Sequence, residues 1–140
     1  MTAAPNTAIE LAFIDTFVVR PKRARYCSLV VSPRLRPSFL ATLHSFSDFD
    51  PRLKVTLPRR QNTARGFLTE LRRRNPGTTC YVISTHADLD AITLPLESAV
   101  DEVHGINDGT IIICAPTLAY YEGERRCRFI LDSQPHGGAR

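Results

Sequence analysis

Residues 110–132 read TIIICAPTLAYYEGERRCRFILD. Three strands are written in this stretch. Residues 111–115 form a continuous apolar run of the length expected for a strand buried on both faces. After Pro116, residues 118–121 and 128–131 read as a β-hairpin, and the loop between them contains Gly123, which is expected to supply the positive φ of the turn. Hairpin strands run antiparallel, so this end of the chain sets an antiparallel sheet. Tyr120 and Tyr121 are neighbours on one strand and therefore face opposite sides of it. Packing is the expected role of both, with one of them available to stack on a base or a partner.

Working towards the N-terminus, residues 80–83 are a second buried strand, and residues 53–57 alternate as a half-exposed strand does. Helical spacing separates these runs. Leu96, Ala99, Val100 and Val103 mark a helix that starts near Pro95, with Gly105 as its stop and Asn107-Asp108-Gly109 as the turn beyond. Ala64, Phe67, Leu68 and Leu71 mark another, capped by Asn62 or Thr63 and ended by Asn75-Pro76-Gly77. Within it, Glu70 and Arg74 stand in the favourable i, i+4 order. Before these lie three helices. Ile9, Phe13 and Phe17 define the first, and Pro21 opens the second, which carries Tyr26, Leu29 and Val30. Pro37 opens the third, with Phe39, Leu40 and Leu43, and it runs to about Phe46.

The expected class is α+β: about three N-terminal helices, then a mixed, partly antiparallel sheet of about five strands with two further helices, ending in a β-hairpin. The strand–helix–strand segment in the middle is compatible with a right-handed parallel crossover. One domain is expected over residues 8–132, between a disordered start (1–7) and a flexible tail (133–140).

Composition bounds the class of protein. The chain has 140 residues, 43% hydrophobic and 23% charged, which suits one folded domain and not a disordered one. No apolar run approaches the roughly 20 residues that span a bilayer. The basic cluster at residues 20–25 follows the apolar stretch instead of preceding it, unlike a signal peptide. A cytoplasmic protein away from membranes is expected, with Cys27, Cys80, Cys114 and Cys127 reduced. Cys27, among basic residues, is the least inert of them. No cofactor is expected, because no phosphate-cradling glycine loop or zinc-protease helix motif is present. An oligomeric state is not readable.

Charge is unevenly placed. Residues 1–74 carry a net +9 and residues 75–140 a net −5. Either the two halves attract each other in the fold, or the basic half binds an anion. The second reading makes Arg23, Arg25, Arg59, Arg60, Arg65, Arg72 and Arg73 the binding residues, along with Arg20, Lys22, Arg34 and Arg36. Arginine's planar fork suits phosphate or carboxylate, so the expected partner is nucleic acid or an acidic protein. Replacing Arg72 or Arg73 is then expected to weaken binding.

Two competing sites are written in the acidic half. His86, Asp88 and Asp90 follow a buried strand, where ligands collect in α/β-type sheets, and imidazole with carboxylates suits a divalent metal or a general base. Glu97, Asp101 and His104 are spaced by four and three, so one helix face would present all three as further metal candidates. A site at His86, Asp88 and Asp90 would make the chain a metal-dependent hydrolase-type enzyme. A protein–protein adaptor or inhibitor is the third reading. The leading expectation is a small non-enzymatic binding or regulatory domain with an arginine-rich surface.

Overall fold

Period-two alternation sorts each strand's side chains onto two faces, and both faces are covered. In this computed structural model residues 3–134 are described; residues 135–140, most of the expected tail, lie outside the described residues, as do residues 1 and 2. Helices α1 (Thr7–Phe17), α2 (Arg23–Val31) and α3 (Arg36–Thr42) come first, then β1 (Lys54–Val55), α4 (Ala64–Arg72) and β2 (Thr79–Ser84). There follow β3 (Thr93–Pro95), α5 (Leu96–Val103), β4 (Thr110–Ala115), β5 (Leu118–Glu122) and β6 (Arg128–Asp132). The class is α+β with three N-terminal helices and a closing hairpin. Among the described residues no helix is long and apolar enough to cross a membrane.

The six strands lie in the order β1-β6-β5-β4-β2-β3, and every ladder is antiparallel. The α4 crossover does join two strands of the same direction, β1 and β2. They lie far apart, with β6, β5 and β4 between them, so no parallel ladder forms. β3 is the strand that the sequence hides: three residues ending in proline carry too little pattern.

Helices α1–α3 cover one face, where Phe13, Phe17, Phe39 and Phe49 pack against Tyr81, Ile83, Ile111, Tyr121 and Phe129. Helices α4 and α5 cover the other, packing Phe67, Leu71, Val100 and Val103 on Val82, Ile112, Tyr120 and Ile130. Tyr120 and Tyr121 thus serve opposite layers and are both buried, and so is every other Phe and Tyr ring of the chain.

Local signals set the helix limits. The Asn6 side chain accepts from the Ile9 amide and starts α1. Thr63, rather than Asn62, caps α4 through the Gly66 amide, at 3.0 Å. Asn75 stops it at a left-handed φ of 58°.

The hairpin loop departs from its expected form. Gly123 is not a positive-φ residue; Arg125 and Arg126 are, at 59° and 61°. Gly123 answers a packing need instead: a Cβ there would stand 2.3 Å from the Tyr121 hydroxyl and 2.9 Å from the His44 carbonyl oxygen. The turn is therefore made one step later, where two non-glycine residues take a conformation costing roughly 1–2 kcal/mol each.

Tyr121 fastens the helical layer to the sheet. Its hydroxyl donates to the Leu43 carbonyl at 2.6 Å and accepts from the Phe46 amide at 3.1 Å. Burial, foremost, raises its pKa to about 12. Tyr121→Phe keeps the ring and orphans two buried backbone groups, so it should lower stability by about 2–4 kcal/mol in urea unfolding. A loss under about 0.5 kcal/mol would show that this fastening is unimportant.

Candidate functional site

Asp90 does not join His86 and Asp88. It turns inward and meets Arg36, which donates to it from Nη1 at 2.6 Å and Nη2 at 2.9 Å. The same guanidinium holds Glu10, through Nε at 2.9 Å and Nη2 at 2.7 Å. Tyr81 donates to Glu10 at 2.6 Å, and its hydroxyl accepts from the Asn6 amide. Glu10 is fully buried. Burial pulls the Arg36 pKa down, but its hydrogen bonds to Asp90 and Glu10 outweigh that and raise it. Arg36 is thus a structural clamp between α1, α3 and the loop after β2, and is not available to an anion.

His86 and Asp88 stay exposed and line a groove of about 540 Å³ against α5, with Leu94, Ser98 and Glu102. The expected three-residue convergence is therefore corrected. Asp90 is drawn to Arg36 and is also pinned by the Ser84 amide at 3.1 Å. Among the described residues no three His, Cys, Asp or Glu side chains gather as metal ligands.

The second acidic set also separates. Helix α5 ends at Val103, and His104 leaves it in an extended conformation (φ −63°, ψ 124°). Its amide still donates to the Val100 carbonyl at 2.9 Å, so the helical position is kept and it is the ring that turns to α4. The His104 ring packs 6.0 Å from Phe67 of α4, and its Nε2 is buried without a partner. Burial, then Arg128, lowers its pKa. Glu97 and Asp101 instead line a shallow groove opposite Arg65 and Arg72.

That groove shows the charge divide partly folded onto itself. Arg72 reaches Glu97 at 3.4 Å, Arg74 reaches Asp132 at 2.9 Å, and Arg128 reaches the buried Glu122 at 3.1 Å. Arg73 pairs with Glu70 at 3.2 Å, and the expected Glu70–Arg74 pair forms at 2.8 Å. Arg52 pairs with Asp50, whose pKa is lowered to about 2, chiefly by hydrogen bonds from Arg52.

The remaining cations are distributed around the β1 margin. Val18 bridges Phe49, and the Val19 amide donates to Asp48, so the segment that carries Arg20, Lys22, Arg23 and Arg25 lies beside the chain entering β1. Arg23 is partly spent on the Val18 carbonyl, at 2.8 Å. Lys54 of β1 stands over the Phe129 ring. Arg59 and Arg60 follow in a 3-10 turn, Arg59–Gln61. Arg20, Lys22, Arg25, Arg34, Arg59, Arg60 and Arg65 are exposed and form no ion pair among the described residues.

Sequence reasoning passed over several groups. Arg125 and Arg126 are exposed at the hairpin tip, in the half that looks acidic. Glu122 accepts from Gly105 and Asn107 amides, the Tyr120 hydroxyl and Arg128, a buried knot that no local motif announces. His44 Nδ1 lies 3.2 Å from Asp108, which also accepts from Thr85 at 2.7 Å. Cys27 is not activated: burial, then nearby Asp15, raises its pKa.

Arg36→Met leaves the buried Glu10 and the partly buried Asp90 without their shared cation and should cost about 3–5 kcal/mol in denaturant unfolding. A loss below about 1 kcal/mol would contradict the clamp. His104 gives a pH signature. Its folded pKa lies below the unfolded value of about 6.5, so protonation favours the unfolded chain. Its stabilisation is present above that pH and is lost as pH falls through the unfolded value towards the folded one. Wild type should therefore lose more stability than His104→Gln between about pH 7 and 5; equal losses would contradict it.

Comparison with protein-family models, with curated proteins and with solved structures finds no match for this chain.

Proposed function

We propose that this chain is a small non-enzymatic binding domain that contacts an anionic macromolecule through the basic margin around β1. One observation carries the reading. Exposed cations without a carboxylate partner among the described residues recur along this margin, whereas Arg36, Arg72, Arg74 and Arg128 have carboxylates of their own. Arg20, Lys22 and Arg25 approach it from the α1–α3 layer, Lys54 stands on β1, and Arg59 and Arg60 lead into the α4 layer. Asp48 and Asp50 lie in the same region but are engaged, the first by Tyr26 and the second by Arg52. The margin therefore keeps a net positive field.

A nucleic acid or an acidic protein would supply the matching charge. Backbone phosphates attract such a surface through neutralisation and counterion release, which gives affinity without base readout. The arginines named by sequence divide accordingly. Arg25, Arg59 and Arg60 contribute directly, while Arg72 and Arg73 contribute less because each already faces a carboxylate.

The reading is tested by fluorescence anisotropy with labelled DNA and with polyglutamate. Binding to at least one polyanion at low salt, falling steeply between about 50 and 200 mM, is expected. Arg59→Glu with Arg60→Glu should weaken it by at least about tenfold, and Arg72→Gln by much less. Absence of binding to both polyanions at low salt would overturn the reading.

A further inference from the structure

We propose that the tip of the β5–β6 hairpin is the principal anion contact, and that its ligand is the phosphate backbone of a nucleic-acid duplex; this rests on the binding reading above. The tip is strained in a specific way. Arg125 and Arg126 hold consecutive left-handed φ values of 59° and 61°. The Cys127 amide donates to the Glu124 carbonyl at 3.2 Å and closes the turn across them. This is the φ pattern of a type I′ turn, which asparagine and glycine adopt readily and arginine does not. The two side chains are exposed and form no ion pair or hydrogen bond among the described residues. The fold thus gains no contact from them in return for the strain, and backbone strain of this kind concentrates at functional sites.

The tip is also held firmly at its base. The Gly123 amide donates to the Cys127 carbonyl at 2.8 Å, and the Glu124 amide donates to the His44 carbonyl at 2.8 Å. Gly123 is packed beneath the Tyr121 hydroxyl. Arg128, the first residue of β6, donates to the Asn62 side chain at 3.3 Å, directly after the turn that carries Arg59 and Arg60. Two pairs of arginines from separate loops are therefore brought to the same end of the sheet. Glu124 is the single carboxylate in the hairpin turn.

The chemistry favours a duplex. All the Phe and Tyr rings are buried, so none of them offers unpaired bases a platform to stack on. Contact then falls to phosphates, which arginine meets with its planar fork.

The test replaces the tip with the residues its backbone prefers, Arg125→Asn with Arg126→Gly, so loss of folding does not confound it. Wild type, this variant and Arg125→Lys with Arg126→Lys are titrated into a DNA duplex, the matching single strand and polyglutamate across about 50–200 mM salt. The Asn-Gly variant should melt at a higher temperature and bind duplex at least about tenfold more weakly. Its slope of log affinity on log salt should shrink by about 1.8, the value for two lost phosphate contacts. The lysine variant should keep most of the slope. Unchanged affinity and slope in the Asn-Gly variant would overturn the tip assignment. If Arg59→Glu with Arg60→Glu still weakened binding, the broader reading would survive that result. Preference for polyglutamate over duplex would overturn the duplex assignment, and no binding to any of the three would overturn both readings.

Discussion

The Arg36 guanidinium is the constraint around which one side of the molecule is arranged. It sits between Glu10 of α1 and Asp90 of the loop after β2, 26 and 54 residues away in sequence. Two carboxylates in a nearly dry site repel each other and shed their solvation, and one cation with four hydrogen bonds makes that arrangement tolerable. The consequences spread outward. Helix α1 is fixed in rotation by Glu10 and Tyr81, α3 is fixed at its first residue, and the loop before β3 is pulled under. With Asp90 committed there, the loop keeps only His86 and Asp88 for solvent, so its metal-like spacing is spent on architecture.

The same logic explains how a chain of two oppositely charged halves folds without large internal repulsion. The acidic half is partly consumed by the basic half through Arg72–Glu97 and Arg74–Asp132, and Glu122 is neutralised by Arg128. These pairs differ in worth. Arg72–Glu97 is more than half exposed on both sides and contributes little, whereas Glu122 is fully buried and would be costly to leave unpaired. Of the exposed cations without an ion pair among the described residues, most stand at the β1 margin and the hairpin tip, with Arg34 and Arg65 apart from them. The surface charge of the folded molecule is therefore more localised than the sequence divide suggests.

The strands and helices were largely legible because each leaves a periodic trace in its own residues. Leu118–Glu122 alternates between two cores, and Leu96–Val103 repeats every three to four residues. β3 leaves no such trace, since three residues are too few for a period to show. The site was less legible for a different reason. Whether Asp90 faces Arg36 or a metal depends on a partner far away in sequence, and spacing within residues 86–90 carries no information about it. His104 was misread because its ring turns to Phe67 of α4, a partner that spacing within α5 does not reveal. The hairpin tip was misread because Gly123 is the obvious candidate for positive φ. Its small size is used for packing against Tyr121, and the turn conformation is passed on to Arg125 and Arg126.

The two margins of the sheet also limit how a partner can engage. β1 is two residues long with cations on both flanks, and β3 ends in Pro95. Short, charged or proline-bearing edges resist the addition of another strand. Backbone pairing with a peptide is thus disfavoured at both ends of the sheet, which leaves side chains as the means of contact. Among the described residues the exposed large hydrophobics are Val31 of α2 and Ile106 of the loop after α5. The arginines of the β1 margin and the hairpin tip are the groups in surplus. In the proposed reading, the basic edge that resists pairing with copies of this sheet is the same edge that meets an anion, so one set of residues would answer both demands.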